Sequence, residues 1–291
     1  MNQQNQQRIH FFKMTGAGND FILIDNRKGL IDADHCQDLV RYACRHKLSV
    51  GADGMILIEN DPEVDFKWRF FNADASEAEM CGNGSRCAVR FAHLTGIVKK
   101  PRMAFRTLAG IIKAELLGDR VKVQMTSSHS LQMDLKLEAD GRSFNVDFIN
   151  TGVPHAVCFV ANESELESTD VMRWGHALRF HSQFQPAGTN VNFVWARDPH
   201  HIIVRTYERG VEGETLACGT GSIASSLIAA ARGRAASPVE VLTRGGESLG
   251  VYFEMSGGKQ NPADARFNQV YLEGEARIVY EADLWTETLR Q

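Results

Sequence analysis

The sequence predicts an α+β protein with large, mostly antiparallel sheets, and three observations lead to this class. Short runs rich in β-branched and aromatic residues recur along the 291 residues. Helical periodicity occurs in only four places. Helices and strands do not alternate regularly, so a doubly wound nucleotide-binding sheet is not favoured. With 43% hydrophobic and 23% charged residues, the chain has the composition of a globular protein rather than a disordered one.

Twelve runs are predicted to be strands. Each is rich in β-branched or aromatic residues and is bounded by Gly, Asp, Asn or Pro, which favour turns. In chain order the predicted strands are 8–14, 21–25, 55–59, 66–71, 111–116, 121–125, 155–160, 191–195, 202–207, 249–254, 269–272 and 276–280.

Four segments carry the apolar spacing of a helix. In chain order they are 35–47, 83–94, 170–180 and 220–231. One face of the first carries Cys36, Leu39, Val40, Ala43 and Cys44. Gly96 follows the second helix and Gly233 follows the fourth, and glycine at this position is a typical helix stop signal.

A faint internal repeat suggests two related halves. The run TGAGN from Thr15 and the run TGVPH from Thr151 each lead into a predicted strand. Downstream, CGNGS from Cys81 and CGTGS from Cys218 each open a predicted helix rich in small residues. The separations are nearly equal, since they run from 15 to 81 and from 151 to 218. The repeat therefore predicts a duplicated domain, in which the two Cys-Gly turns occupy equivalent places and face one cleft.

The two Cys-Gly turns have the chemistry of a proton-transfer site. A helix N-terminus carries unpaired N–H groups and a positive dipole end, so it binds carboxylates and lowers the pKa of a nearby thiol towards neutrality. The glycines let backbone amides approach a ligand closely. Cys81 and Cys218 on opposite sides of one carbon could therefore exchange its proton with inversion, one as thiolate and the other as thiol.

The other four cysteines are predicted to be core residues, because free cysteine is among the most buried residue types. Cys36 and Cys44 lie on an apolar helix stripe, Cys158 lies in an apolar strand, and Cys87 lies one turn into a helix. In a chain of this size without an export signal, reduced thiols are expected rather than disulfides.

Composition and motifs argue against several other classes of function. The formal charge of −4 gives no general basic surface for nucleic acid. The chain has no apolar run of transmembrane length and no signal peptide pattern, so a cytoplasmic location is expected. It has no complete G-x-G-x-x-G motif and no P-loop, so neither NAD nor ATP is indicated. It has no C-x-x-C motif, so a structural zinc site is not expected.

Polar residues lie close to both turns in the sequence. Asn72 precedes the first turn and the pair Glu208-Arg209 precedes the second, in each case at the end of a predicted strand, where loops carry function. Arg209 could clamp a carboxylate in two-point fashion, and Glu208 could hold an ammonium group or tune a thiol. The alternative is a surface ion pair and a turn asparagine. For His155 the alternative is a hydrogen-bonded structural imidazole.

The stretches that contain these residues resemble the diaminopimelate epimerase family. They are KMTGAGNDFILID (13–25), VGADGMILIE (50–59), FFNADASEAEMCGNGSRC (70–87), NTGVPHAVCFV (150–160), PAGTNVNFV (186–194) and RTYERGVEGETLACGTGS (205–222). The run YLEGEARIVYEADL near the end also fits. The Asn/Gln-rich segment 2–7 has no counterpart in the resemblance and is expected to be disordered.

The resemblance implies two similar domains, each a sheet wrapped around a central helix. The first domain, 1–125, would be completed by the C-terminal segment 275–291, and the second would be 126–274. The implied activity is the interconversion of LL- and meso-2,6-diaminopimelate for lysine and peptidoglycan precursors, without pyridoxal phosphate, metal or other cofactor. The implied partners are this small-molecule substrate and a second copy in a homodimer, with no nucleic acid and no membrane.

The resemblance also assigns roles to individual positions. Cys81 and Cys218 match the catalytic cysteines. The backbone cradle for the reacting carboxylate matches Gly82, Asn83, Gly219 and Thr220. The substrate-binding polar residues match Asn19, Asn72, Asn190, Glu208 and Arg209. His155 and Glu208 match positions that tune the thiols. Two positions depart from the family pattern: Val153 stands where many relatives carry a substrate-contacting Asn, and Gly54 where some carry Gln, so no side-chain contact is assigned to either.

Two alternatives stay open at this point. Another cofactor-independent racemase of the same architecture, such as one acting on proline, would share the two Cys-Gly turns but would not need a site for a second charged end of the substrate. A non-catalytic amino-acid-binding protein would use the same residues for capture alone, and it would not need a thiol in both turns.

Overall fold

The computed structural model describes residues 8–285, which form two compact units. The first unit comprises the described residues up to Val123 together with those from Gly274 onward, and the second is Gln124–Glu273. The segment 2–7, which was expected to be disordered, lies outside the described residues, as do the last six positions of the chain.

Strands dominate both units. In chain order they are β1 Arg8–Gly16, β2 Asn19–Asp25, β3 Gly54–Glu59, β4 Phe66–Asn72, β5 Arg102–Thr107, β6 Gly110–Leu117, β7 Arg120–Gln124, β8 His129–Ala139, β9 Arg142–Asn150, β10 Pro154–Phe159, β11 Asn190–Asp198, β12 His201–Glu208, β13 Gly213–Thr215, β14 Val239–Thr243, β15 Ser248–Ser256, β16 Arg266–Glu275 and β17 Arg277–Trp285. The α-helices are α1 Ala33–Ala43, α2 Gly82–Leu94, α3 Glu163–Ser168, α4 Val171–Arg179 and α5 Gly219–Ala231.

The first unit is a mixed sheet in which most neighbours are antiparallel. The C-terminal strand β17 pairs with β1, and β1 forms a hairpin with β2. Strand β2 runs parallel to β3, β3 antiparallel to β4, and β4 parallel to β5, which continues into the antiparallel pairs β5–β6 and β6–β7. The two parallel steps carry helices, because a parallel connection needs a long crossover: α1 joins β2 to β3, and α2 joins β4 to β5.

The sheet of the first unit has an apolar core on each face. Because side chains alternate along a strand, Phe21 and Leu23 of β2 pack in the cluster that contains α2, whereas Ile22 and Ile24 pack in the cluster that contains α1. Helix α2 is buried along most of its length. The sheet therefore wraps around α2, and this burial fixes the position of the helix N-terminus at Cys81.

The second unit repeats the same order of strands. Strand β8 pairs with β9 and β9 with β10, both antiparallel. Strand β10 runs parallel to β11, β11 antiparallel to β12, and β12 parallel to β14, which continues into β15 and β16. Helices α3 and α4 join β10 to β11, and α5 lies between β12 and β14 in the chain, as α2 lies between β4 and β5. The repeated order places Cys218 where Cys81 stands in the first unit.

The core of the second unit is arranged in the same way. Helix α5 is buried from Gly221 to Ala231 and lies against six strands, which are β9, β10, β11, β12, β14 and β15. On the other face, Val171 and Leu178 of α4 pack with residues of β10, β11 and β12. The predicted class is therefore confirmed, with two similar, mostly antiparallel domains, each built around a central helix.

The element predictions were incomplete in places. Strands β5, β8, β9, β13 and β14 and helix α3 were missed, although β8 carries a clear apolar alternation in Leu131, Met133, Leu135 and Leu137. The first helix was predicted to reach 47 but ends at Ala43. There the carbonyls of Ala43 and Cys44 accept hydrogen bonds from the backbone N–H groups of Gly51 and Ala52, so the chain turns back.

The cysteines predicted to be core residues are buried. Cys36 and Cys44 pack in the cluster with α1, Cys87 packs in the cluster with α2, and Cys158 packs in the cluster with α4. Burial raises the pKa of Cys36 to about 11 and that of Cys158 to about 12, so these thiols are not nucleophiles at neutral pH. All six cysteines lie within residues 8–285, and none of them forms a disulfide there.

No helix within residues 8–285 combines the length and the apolar character that a membrane crossing requires.

Candidate active site

The first Cys-Gly turn places a thiol at the start of a buried helix. Cys81 is the N-cap residue of α2, with extended backbone angles (φ −144°, ψ 118°), and its Sγ accepts a hydrogen bond from the N–H of Gly84 at 3.3 Å. A side chain that accepts from the first turn satisfies one of the N–H groups that a helix leaves unpaired. The thiol is half-buried, so α2 both orients the sulfur and leaves it accessible.

The second turn repeats the N-cap position and the extended backbone at α5, but its cysteine side chain forms no capping hydrogen bond. Cys218 is the N-cap residue, again with extended backbone (φ −128°, ψ 109°). Its Sγ lies 3.6 Å from Oγ1 of Thr220, and Thr151 donates from its hydroxyl to the carbonyl of Thr220 at 3.1 Å. Cys218 is only 8% exposed. The side chain of Cys218 is therefore more deeply enclosed than that of Cys81.

Close packing explains a glycine at the third position of each helix. A Cβ on Gly84 would lie 3.2 Å from Cδ1 of Ile56 and 3.6 Å from Sγ of Cys81. A Cβ on Gly221 would lie 2.4 Å from Oδ1 of Asn192 and 3.2 Å from Sγ of Cys218. A side chain at 84 would therefore be tightly packed, whereas a side chain at 221 would displace either the helix or Asn192.

The electrostatics of Cys218 differ from the sequence-based expectation. Burial and, to a lesser extent, the carboxylate of Glu208 raise the pKa of the Cys218 thiol to about 12, whereas the Thr220 hydroxyl and the N–H groups of the helix act in the opposite direction by less. The expected shift towards neutrality was wrong for this cysteine, because desolvation of the thiolate outweighs the helix N-terminus. The Cys218 thiol therefore holds its proton at neutral pH.

His155 lies at the centre of a buried polar network. It is fully buried, and burial, with a further contribution from the positive charge of Arg209, lowers its pKa to about 3. Nδ2 of Asn192 lies 3.1 Å from Nδ1 of His155, and Oδ1 of Asn192 accepts a hydrogen bond from the hydroxyl of Thr206 at 2.9 Å. Within residues 8–285, Nε2 of His155 has no hydrogen-bond partner. A neutral imidazole with one uncommitted N–H is therefore held inside the second unit.

Asn192 and Thr206 were missed by the sequence-based reasoning. They are cross-strand neighbours on β11 and β12, and both are buried. A polar residue at 192 inside the otherwise apolar run VNFV is a signal that could have identified the first of them, because a buried amide requires partners.

Three of the predicted substrate-binding residues lie together at the ends of β11 and β12. Asn190 accepts at Oδ1 from the backbone N–H of Arg209 at 2.8 Å and donates from Nδ2 to the carbonyl of Pro154 at 3.0 Å. Arg209 donates from Nη1 to the carbonyl of Ala187 at 3.0 Å. Glu208 is half-buried, and burial raises the pKa of its carboxyl group. Asn190 thus holds the backbone from which these two charged side chains project.

The predicted residues of the first unit form a second group. Asn83, in the first turn of α2, donates from Nδ2 to Oδ1 of Asn19 at 2.7 Å, and Asn19 donates from Nδ2 to Oδ2 of Asp53 at 2.9 Å. Asn72 stands apart at the end of β4, where it is exposed and donates from Nδ2 to the hydroxyl of Ser76 at 3.0 Å. The structure therefore brings Asn19 and Asn83 into contact and places Asn72 in a neighbouring turn of the chain.

Gly54 and Val153, the two positions that depart from the family pattern, take part in the local backbone packing and hydrogen bonding. A Cβ on Gly54 would lie 2.5 Å from the carbonyl oxygen of Phe71, so a side chain there would require a backbone shift. The carbonyl of Val153 accepts from the N–H of Thr151 at 3.1 Å.

In the part of the chain that the structure describes, no group of three or more His, Cys, Asp or Glu residues could hold a metal ion.

The chain is similar to known proteins in sequence and in fold. The family model described as diaminopimelate epimerase matches residues 11–131 and 148–262. The diaminopimelate epimerase of Aquifex aeolicus (strain VF5) is 47% identical over 97% of this chain and 99% of its own length. That of Hydrogenobaculum sp. (strain Y04AAS1) is 45% identical over 94% of this chain and 97% of its own.

Solved structures with the same fold are more distant in sequence. A phenazine biosynthesis protein of the PhzF family from Bacillus anthracis superposes with a TM-score of 0.71 at 14% identity and covers 96% of this chain and 99% of its own. A hydroxyproline epimerase from Agrobacterium vitis superposes with a TM-score of 0.67 at 15% identity, over 98% of this chain and 94% of its own. These likenesses concern the fold alone. Because the family match covers most of the chain and these two curated relatives align over 97% and 94% of it, the chain belongs to the diaminopimelate epimerase family.

Proposed function

We propose that this protein interconverts LL- and meso-2,6-diaminopimelate by inverting one α-carbon, as a step in the synthesis of lysine and peptidoglycan precursors. The observation that carries the proposal is the presence of two cysteines, Cys81 and Cys218, each as the N-cap of the buried central helix of a repeated unit. Membership of the family and the names of the curated relatives support the same substrate. The proposed enzyme is a cytoplasmic homodimer.

The proposed chemistry is a two-base proton exchange. In the direction from the LL isomer, the Cys81 thiolate removes the α-proton and becomes a thiol, and the electron pair of the C–H bond remains on the substrate as a carbanion. The Cys218 thiol then delivers its proton to the opposite face and becomes a thiolate. The reverse reaction exchanges the two roles. Two observations support the order: the high pKa of Cys218, which keeps it protonated, and the greater exposure of Cys81.

The carbanion is stabilised through the substrate carboxylate that adjoins it. As the α-proton leaves, negative charge spreads onto that carboxylate, and N–H groups aimed at it lower the barrier. The first turns of α2 and α5 offer such groups at Gly82-Asn83 and at Gly219-Thr220. These residues act without pyridoxal phosphate or metal, so the scheme requires no cofactor.

The second charged end of the substrate distinguishes diaminopimelate from proline. We assign its carboxylate to Arg209, whose planar guanidinium matches a carboxylate in two-point fashion, and its ammonium group to Glu208. Asn190 supports this assignment, because it holds the N–H of Arg209 at 2.8 Å. Asn19 and Asn72 supply further polar contacts, and His155 tunes the second thiol as a neutral donor.

The test is to incubate the purified protein with LL-diaminopimelate and, separately, with L-proline, without added cofactor, and to separate the stereoisomers chromatographically. Formation of meso-diaminopimelate from the first and no D-proline from the second is the expected result. Racemisation of proline would identify the alternative racemase. Calorimetric binding of diaminopimelate without any change of stereochemistry would identify a binding protein instead.

A further inference from the structure

Arg86 is a fully buried arginine on the helix that Cys81 caps. It is 0% exposed and lies one turn beyond the thiol-bearing N-terminus of α2. Its Nη2 donates to Oδ1 of Asn83 at 2.8 Å, and its Nε donates to the carbonyl of Glu275 at 3.4 Å. The guanidinium therefore lies directly behind the side-chain amide of Asn83, a residue whose backbone the proposed function assigns to the substrate cradle.

Packing of the helix does not require this charge. In the second unit the residue five positions after the capping cysteine is Ile223, which is 1% exposed on the equivalent helix α5. A buried aliphatic side chain therefore satisfies the same position in the repeated fold. Burying a charged group is unfavourable, because the group loses its hydration, unless hydrogen bonds compensate for it. Retention of a charge at 86 indicates a role beyond packing.

The hydrogen bonds of Arg86 fix the direction of two side-chain amides. A guanidinium only donates, so Oδ1 of Asn83 must face Arg86 and Nδ2 must face Asn19, 2.7 Å away. At the other end, an ionised carboxylate only accepts, so Nδ2 of Asn19 must face Oδ2 of Asp53 at 2.9 Å. Both ends impose the same direction on the chain Arg86–Asn83–Asn19–Asp53.

The acidic end of this chain is itself anchored. The N–H of Asp53 donates to Oδ1 of Asp20 at 2.9 Å, and the N–H of Asp20 donates to Oδ2 of Asp53 at 3.2 Å. Lys13, which is almost fully buried, forms an ion pair with Asp20 at 2.6 Å and donates to the carbonyl of Gly51. Charged groups therefore hold both ends of the amide pair. Nδ2 of Asn83 and Nδ2 of Asn19 each donate one N–H within this series of hydrogen bonds, and each has a second N–H that the series does not use.

We propose that Arg86 and Asp53 are positioning residues that set the orientation of Asn83 and Asn19, so that both amides present an N–H, and not a carbonyl oxygen, to the substrate. The inference rests on the proposed function, because it takes these two asparagines as substrate contacts. Neither Arg86 nor Asp53 needs to touch the substrate. If either Arg86 or Asp53 is replaced, the other residue still orients the two amides in part. If both are replaced, each amide can rotate by 180° and exchange its oxygen and nitrogen.

The experiment compares Arg86→Ile, Arg86→Lys, Asp53→Asn and the double variant Arg86→Ile/Asp53→Asn. We measure KM and kcat with LL-diaminopimelate and the dissociation constant of meso-diaminopimelate by calorimetry. Each single loss, Arg86→Ile or Asp53→Asn, should raise KM and Kd about 3- to 10-fold, and the double variant should raise them by more than the product of the two factors. Arg86→Lys, which keeps a donor, should restore most of the affinity.

Arg90→Met is the matched control. Arg90 lies one turn further along α2 and donates from Nη1 to the carbonyls of Asp119 and Ala276. These contacts lie outside the Arg86–Asn83–Asn19–Asp53 series, so the KM of Arg90→Met should be that of wild type.

A purely structural role of Arg86 would lower kcat through loss of folded enzyme and leave KM unchanged. That result, or a wild-type KM in the double variant, would overturn the inference. Asp53 is exposed, so Asp53→Asn tests the acidic end even if Arg86→Ile does not fold. Failure of the wild type to convert LL-diaminopimelate would contradict the proposed function instead.

Discussion

Asn192 donates a hydrogen bond from Nδ2 to Nδ1 of His155 across 3.1 Å, and this contact fixes the tautomer of the imidazole. The orientation of the amide follows from its other partners: Nδ2 also donates to the carbonyl of Ala156 at 3.0 Å, and Oδ1 accepts from the hydroxyl of Thr206 at 2.9 Å. Nδ1 of His155 must then accept, so the ring proton is on Nε2.

The first prediction concerns this tautomer. Asn192→Asp is nearly isosteric but presents a carboxylate, which accepts from Nδ1–H and favours the protonated imidazole. We expect kcat/KM to fall about 10- to 100-fold, and we expect the ring-nitrogen NMR signals of His155 to show Nδ1 protonation at pH 7. The matched control is Asn145→Asp, on an exposed position of β9, which should leave both readouts unchanged. A wild-type nitrogen spectrum in Asn192→Asp would contradict the assigned tautomer.

The second prediction concerns stability and pH. Burial lowers the pKa of His155 from 6.5 to about 3, so between these values the unfolded chain binds a proton that the folded chain does not. The free energy of unfolding should therefore fall as the pH decreases below about 6.5, by an amount on the order of 1 kcal/mol per pH unit. Denaturant unfolding of wild type and of His155→Asn at pH 7 and pH 5 isolates this contribution, because other groups titrate in both proteins. Equal losses in the two proteins would rule out His155 as the source.

The third prediction concerns the two thiols. Because Cys218 is enclosed and its pKa is raised first by burial and then by Glu208, iodoacetamide at pH 8 should label Cys81 before Cys218. Glu208→Gln removes the negative charge and should increase the labelling rate of Cys218 several-fold, as measured by peptide mass spectrometry. Glu212→Gln changes an exposed carboxylate of the same loop and serves as the control. Faster labelling of Cys218 than of Cys81 in wild type would contradict the assignment of Cys218 as the acid.

The fourth prediction concerns the glycine that follows Cys218 at the third helix position. A Cβ at 221 meets Oδ1 of Asn192 at 2.4 Å, so Gly221→Ala must displace either α5 or the amide that orients His155. We expect a loss of about 1–3 kcal/mol in the free energy of unfolding together with a loss of kcat/KM. Gly213→Ala, where a Cβ meets nothing within 4 Å, should change neither. Unaltered stability and activity in Gly221→Ala would show that the turn tolerates a side chain.

The sequence was most informative about site residues whose position depends only on their near neighbours in the chain. Cys81 and Cys218 could be placed at helix starts because glycine spacing and the repeated CG-x-GS run act within a few residues. Asn192 could not be linked to His155 and Thr206, because they become neighbours only through the pairing of β10, β11 and β12. The pKa of Cys218 could not be predicted either, because desolvation depends on how side chains remote in sequence enclose the thiol.

The same distinction applies to the first unit. Asn19 and Asn83 could be identified from the family resemblance, but their contact and the role of Arg86 emerge only when the β1–β2 hairpin is placed against the start of α2. The comparison of Arg86 with Ile223 required the structural repeat, since it is the equivalence of α2 and α5 that shows which position could have been apolar. Fold class and cysteine positions were thus accessible from sequence, whereas the networks that orient the polar groups were not.

The central claim, a proton exchange between two different thiols, is tested most directly by solvent isotope incorporation. LL-diaminopimelate is incubated with the wild-type protein in D₂O, and deuterium at the α-carbon of product and of unreacted substrate is measured by mass spectrometry at less than about a tenth of full conversion. Each thiol carries one exchangeable hydrogen, so the proton removed by one thiol can return only to the face it left, while the other thiol supplies deuterium from the solvent. The account predicts meso product that is deuterated from the start, with unreacted LL isomer that remains protonated. Protonated meso product, or deuterium entering the unreacted LL isomer as fast as product forms, would contradict it.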